Sequence, residues 1–226
     1  MKANSLPDPN SAQTSVPAFP VYLFDVDGTL LDSAEDICGA IHQVLSPHAR
    51  SPLDFEYLRS FIGFHLDVCF KEVRPDYSRE QLDDLILQYR NTYWGRNHAS
   101  TKVYPGIKET LAVLPGRKST ATTKGTPTTR AVLDMFGLLP HFDHVQGTDG
   151  FPCKPEPDVL LRSMEALGAR PEDCLFVGDS SADMEAGRRA GMKTCAVLYG
   201  YGQPEAMARW SPDFWISHPR QLISAA

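Results

Sequence analysis

The sequence has no uninterrupted apolar run of the roughly 18 residues that a membrane-spanning helix needs, so no segment is expected to cross a bilayer. Its N-terminus lacks the apolar stretch of a secretion signal. Cysteine is scarce: the five, Cys38, Cys69, Cys153, Cys174 and Cys195, are odd in number and form no Cys-x-x-Cys pair. This pattern fits neither a disulfide framework nor a zinc site and points to reduced, buried thiols in a cytoplasmic protein. Basic residues are scattered over a chain of net charge −6, with no basic stripe to bind nucleic acid. No internal repeat is visible, and nothing in the sequence specifies an oligomeric state.

What is present is enough apolar content, 42% of 226 residues, for one domain carrying an insert. Residues 1–20 are rich in Ser, Pro, Asn and Gln without periodicity, and read as a disordered tail. Val21 to Asp25 is a short apolar run broken by Gly28, as expected of a buried parallel strand. Cys174–Gly178 and Thr194–Leu198 read the same way, and Lys118–Ala121 is a further candidate strand. Helices are predicted between them: one from Thr126-Pro127 to Gly137, one from Pro157 to Leu167 capped by Gly168, and one over Ala182–Ala190. Strands alternating with helices imply an α/β fold with a parallel sheet covered on both faces. From Ala34 to about Ser100 no strand is predicted. Four helices are expected there instead, the last opening with a Ser-x-x-Gln box at Ser78. More helices than one crossover requires suggest a separate helical unit.

Four segments carry candidate chemistry. Asp25-Val-Asp27-Gly28-Thr29 follows the first strand, at the sheet edge where open α/β folds bind ligands. Two close carboxylates attract a divalent cation, and Gly28 lets backbone N–H groups approach an anion. A simple Asp-Gly turn, with Ser33 capping a helix, is the bland alternative. Gly178-Asp179-Ser-Ser-Ala-Asp183 follows a second buried strand. Asp183 stands one helical turn on, where it could orient water or Asp179. Lys154, held between prolines in Cys-Lys-Pro-Glu-Pro, is either aimed into a site or simply solvated. Thr122-Thr123-Lys124 ends a strand, where a hydroxyl and a backbone N–H suit phosphate oxygens.

These segments, in this order, resemble the haloacid dehalogenase superfamily of phosphohydrolases over Val21 to about Ile223. Within it the chain looks most like the phosphoglycolate phosphatase branch, through Tyr104-Pro-Gly106, Cys-Lys-Pro-Glu-Pro, Gly-Asp-Ser-Ser-Ala-Asp and Leu198-Tyr-Gly-Tyr-Gly202. The resemblance implies a Rossmann-like core, residues 21–33 and 101–226, with residues 34–100 as an inserted helical cap. It implies that Asp25 attacks phosphorus and forms an aspartyl-phosphate, while Asp27 transfers the protons. It implies Mg²⁺ held by the Asp25 carboxylate, the Asp27 backbone carbonyl and Asp179, with Thr122 and Lys154 on the phosphoryl oxygens. Thr123 stands where relatives usually have Asn, and the strand before Thr122 is more polar than theirs. The cap loop through Arg59, Gly63, Phe64 and His65 corresponds to one that dips toward the catalytic aspartate, so Arg59 or His65 is a candidate reader of a substrate carboxylate.

The expected activity is hydrolysis of a small phosphorylated metabolite, phosphoglycolate or one like it. A sugar phosphomutase of the same superfamily is the nearest alternative. A dehalogenase is disfavoured by the acidic Asp27. A receiver-type signalling module has no place for the insert, and an inactive scaffold sits poorly with all four motif residues present.

Overall fold

A computed structural model describes residues 16–223. Strand β1 (Val21–Phe24) leads into a short ribbon strand β2 (Leu31–Asp32). Four helices follow: α1 (Ala34–Leu45), α2 (Phe55–Arg59), α3 (Leu66–Val73) and α4 (Arg79–Gly95). The chain returns through β3 (Lys102–Val103), α5 (Ile107–Val113), β4 (Arg117–Thr120) and α6 (Thr126–Met135). It ends with α7 (Asp158–Leu167), β5 (Cys174–Gly178), α8 (Ser181–Arg189), β6 (Lys193–Val197), α9 (Pro204–Ala208) and β7 (Phe214–Ile216).

The main sheet has the order β4-β1-β5-β6-β7 and is parallel throughout. Its central strands are buried on both faces, which is why they read as continuous apolar runs. Tyr22 and Phe24 point into one cluster with Leu111, Val132 and Val177. Val21 and Leu23 point into the other, with Leu160, Met164 and Phe176. The helical segment has its own cluster, drawn from Ile37, Leu58, Phe70, Leu82 and their neighbours. Thus the four helices bury most of their apolar surface against one another. The fold is α/β, as its alternating elements predict.

The predicted helix ends are found. Gly168 closes α7 in the left-handed conformation, and Ser78 with Gln81 forms a full capping box on α4. β7 and the antiparallel β2–β3 ribbon were not predicted. Each is only two or three residues long, too short for a periodic signal. The ribbon pairs Leu31 with Val103 and Asp32 with Lys102, so the four-helix segment leaves and rejoins the core side by side.

Two expectations need correction. The tail does not extend to residue 20: Val16 is buried in the main core and the Phe19 amide donates to the Tyr22 hydroxyl. Residues 1–15 lie outside the described residues. Ser33 sits at the start of α1 but does not cap it, because its hydroxyl donates to Asp27 instead.

Candidate active site

Three adjacent parallel strands deliver the site. Phe24 of β1 lies level with Thr120 of β4 and Val177 of β5. The chain just beyond these positions carries Asp25, Thr122 and Asp179, all buried polar residues at one sheet edge. Lys154 reaches the same point from the loop before α7 with no side-chain exposure, which overturns its reading as a solvated lysine. Its ammonium lies 2.8 Å from Asp25 Oδ1 and 2.5 Å from Asp183 Oδ1.

The carboxylates divide their partners. The other Asp25 oxygen, Oδ2, has no hydrogen-bond partner among the described residues, and Asp25 borders a cavity of about 630 Å³ between the sheet edge and the helices. Asp27 accepts from the Ser33 hydroxyl at 2.7 Å and faces the Lys124 ammonium at 3.2 Å. Asp179 accepts from the Thr29 hydroxyl at 3.0 Å and the Tyr201 amide at 2.8 Å. Asp183 spends Oδ2 on the amide and hydroxyl of Ser180, closing the capping box of α8. It thus caps a helix and fixes Lys154, a partner that its spacing from Asp179 did not suggest.

Burial disfavours the charged form of these acids. It lifts Asp25 to about 6, against the pull of Lys154, and lifts Asp179 to about 8, with Asp183 and Asp25 adding repulsion. For Lys154 burial works the other way, but Asp183 and Asp25 outweigh it and hold its pKa above the ordinary lysine value. Asp25, Asp179 and Asp183 each place an oxygen within 4.8 Å of the others. Three buried carboxylates share one ammonium, leaving a deficit that a divalent cation would fill. An all-oxygen donor set suits a hard cation.

Gly28 serves a different purpose from the one expected. Its amide donates to the Leu31 carbonyl at 2.8 Å and is not offered to an anion. It has a positive φ, and a Cβ there would lie 2.2 Å from Asp179 Oδ2. The glycine is required so that the two acidic loops can meet.

Of the remaining candidates, Thr122, Thr123, Phe64 and His65 border the cavity. The Thr123 hydroxyl donates to the Gly63 carbonyl at 2.8 Å, tying the sheet edge to the helices. Arg59 is not on the cavity wall: its guanidinium lies 5.1 Å from the Tyr201 ring and pairs with Glu56. It is not placed to read a substrate carboxylate.

Sequence reasoning missed Lys124 and Tyr201 as site residues. Lys124 bridges Asp27 to the Tyr93 hydroxyl of α4, at 3.1 Å, and lies 4.6 Å from the Tyr93 ring centre. Besides its amide bond to Asp179, Tyr201 accepts from the amides of Ser33 and Ala34 through its hydroxyl. Both residues stood inside segments already singled out, but their partners are remote in sequence.

Residues 22–197 match the family model described as haloacid dehalogenase-like hydrolase. A phosphoglycolate phosphatase of Aquifex aeolicus is 35% identical over 207 residues, covering 90% of this chain and 94% of its own. An N-acetylmuramic acid 6-phosphate phosphatase of Pseudomonas aeruginosa is 31% identical, covering 89% and 92%. In structure, the chain is similar to a haloacid dehalogenase-like family hydrolase from Streptococcus pneumoniae. The TM-score is 0.81 at 24% identity, over 93% of this chain and 98% of the other.

Proposed function

The chain belongs to the haloacid dehalogenase-like hydrolases, and from that premise we propose that it hydrolyses small phosphomonoesters through a phosphorylated Asp25, with Mg²⁺ as cofactor. The observation that carries this reading is the Asp25 carboxylate itself. One oxygen is held by a buried ammonium, the other has no hydrogen-bond partner among the described residues, and the residue borders the cavity.

Asp25 Oδ2 attacks phosphorus, and the ester oxygen departs. Splitting hydrolysis in this way replaces one difficult displacement with two easier ones. An anion attacking an anion requires positive charge at both, which Lys154 supplies from its fixed position. The Thr122 hydroxyl, at the same sheet edge, donates to a phosphoryl oxygen. Asp27 protonates the leaving oxygen and then takes a proton from the water that cleaves the acyl phosphate. The hydroxyl of Ser33 and the ammonium of Lys124 orient its carboxylate. Mg²⁺, held by Asp25, the Asp27 backbone carbonyl and Asp179, would add the remaining positive charge to the phosphoryl oxygens. In this reading residues 34–100 act as a cap that shields the site from bulk water.

The test is phosphate release together with a trap. Acid quenching with a ³²P-labelled ester should leave label on the wild-type protein and none on Asp25→Asn, which should also lose turnover by at least about 10³-fold. Label retained on the Asn variant, or turnover near wild type, would remove Asp25 from the role of nucleophile.

A further inference from the structure

We infer that the substrate is a phosphomonoester of sugar size that carries a carboxylate, and that Arg90 on α4 reads this second anion. The inference rests on the phosphatase reading above and concerns only what the leaving group is.

One stripe of α4 forms a wall of the cavity: Arg79, Asp83, Ile86, Leu87, Arg90 and Tyr93 all border it. Their spacing of three and four residues is that of a single helix face. Tyr93 marks the catalytic end, because its hydroxyl accepts from Lys124, and Lys124 faces Asp27.

The cations around the cavity are not equivalent. Lys124 is committed to Asp27. Arg79 is committed to Asp67 and Asp83, and His65 lies against Asp67. Arg90 borders the cavity, is exposed, and its side chain has no ion pair or hydrogen bond among the described residues. It is the uncompensated positive charge on this wall.

Distance selects the same residue. At about 1.5 Å of rise per residue, Arg90 stands roughly 4.5 Å along α4 from Tyr93, whereas Arg79 stands roughly 21 Å away. A group bound at Asp25 and Asp27 can extend to Arg90 but not to Arg79. A chain of sugar length spans the turn of α4 between Tyr93 and Arg90. The cavity agrees: about 630 Å³ falls in the range of sites for ligands well above the size of a two-carbon acid. Its walls supply Phe61, Ile62, Phe64 and Phe151 as apolar surface for a ring or carbon chain. A guanidinium fits a carboxylate in a two-point contact that no neutral hydroxyl reproduces.

The experiment compares kcat/KM on five esters: 6-phosphogluconate, glucose 6-phosphate, glucose 1,6-bisphosphate, 2-phosphoglycolate and p-nitrophenyl phosphate. It uses the full chain with Mg²⁺, as wild type, Arg90→Gln and Arg90→Lys. The wild type should favour the sugar acid over glucose 6-phosphate, and Arg90→Gln should lower that ratio roughly tenfold, as loss of one charge-assisted contact implies. Arg90→Lys should retain part of it. A ratio that Arg90→Gln leaves unmoved overturns the assignment of Arg90. A wild type at least tenfold better on 2-phosphoglycolate than on the sugar acid overturns the sugar size. A bisphosphate preferred over the sugar acid, and equally sensitive to Arg90, overturns the carboxylate. Activity on none of the five, p-nitrophenyl phosphate included, would instead defeat the phosphatase reading and the inference with it.

Discussion

A lysine ammonium without solvent exposure persists only where carboxylates surround it, and Lys154 has Asp25 on one side and Asp183 on the other. Replacing it by Met should therefore cost twice. Turnover should fall about 10²- to 10³-fold as phosphoryl charge loses a fixed partner. Stability should fall by about 3–5 kcal/mol, because two buried carboxylates are left uncompensated. Urea unfolding of Lys154→Met checks the second effect, and adding Asp183→Asn in the same chain should recover part of the loss. His98 poses the opposite problem. It is buried with neither ring nitrogen bonded, among the rings of Tyr93 and Trp94 from α4 and Phe136 just after α6. Burial, then the charge of Lys124, lowers its pKa below the usual 6.5, while Asp36 and Asp27 oppose them more weakly. The unfolded chain binds a proton that the folded chain refuses, so the contribution of His98 to stability should decline as pH falls from about 6.5 through its folded pKa. The raised carboxyls of Asp25 and Asp179 act in the opposite direction over this range, so the check is the difference between wild type and His98→Gln: the variant should gain urea midpoint relative to wild type on going from pH 7 to pH 5.

Among the elements, α1 holds the helical segment to the core at both of its ends. Asp36, in its first turn, is buried and accepts from Arg96 Nε at 3.3 Å, the Ser100 amide at 3.0 Å and the Thr101 hydroxyl at 2.7 Å. One carboxylate thus joins the outgoing chain to the returning one. Asp36→Ala leaves those donors unpaired, and a loss of about 3 kcal/mol is expected in equilibrium unfolding. Strands and helices of this length were legible beforehand because their causes are local. An apolar run between turn residues, as at Cys174–Gly178, or a Ser-x-x-Gln box, as at Ser78, needs no partner to be recognised. The aspartates at the sheet edge were legible for the same reason, standing just beyond buried strands. Lys124 and Tyr201 were not, since what distinguishes them is a contact with Tyr93 or Ser33 across the fold. Arg59 misled for a related reason: its place in the loop is right, but its side chain turns to the Tyr201 ring.

At the scale of the whole molecule, the sheet edge holds more buried negative charge than its lysine balances, and a ligand that supplies the difference should stabilise the fold. Thermal unfolding should move to higher temperature when millimolar Mg²⁺ is added to chelator-treated protein. Asp179→Asn should abolish most of that shift, and a shift of full size in this variant would place the ion elsewhere. Burial is the main reason that the Asp25 and Asp179 pKa values lie above the ordinary carboxylate range, with repulsion from Asp183 adding to it at both and Lys154 opposing it at Asp25.

The β2–β3 ribbon has a bearing on which movements the molecule has open to it. A segment attached through one strand could twist, slide and tilt. Here two antiparallel strands, paired at Leu31–Val103 and Asp32–Lys102, form the attachment. Pulling the segment away or rotating it about the ribbon axis would break that pairing, whereas bending across the ribbon would not. A tether of this kind leaves a single soft coordinate, like a door on its hinge. Resistance along that coordinate comes from a few contacts at the free edge: the Thr123 hydroxyl on Gly63, Lys124 on Tyr93 and the Arg59 guanidinium over Tyr201. Each of these joins a residue in or beside the loops at the sheet edge to one in the helical segment. Whatever binds at Asp27 and displaces Lys124 therefore acts on the latch of the same door.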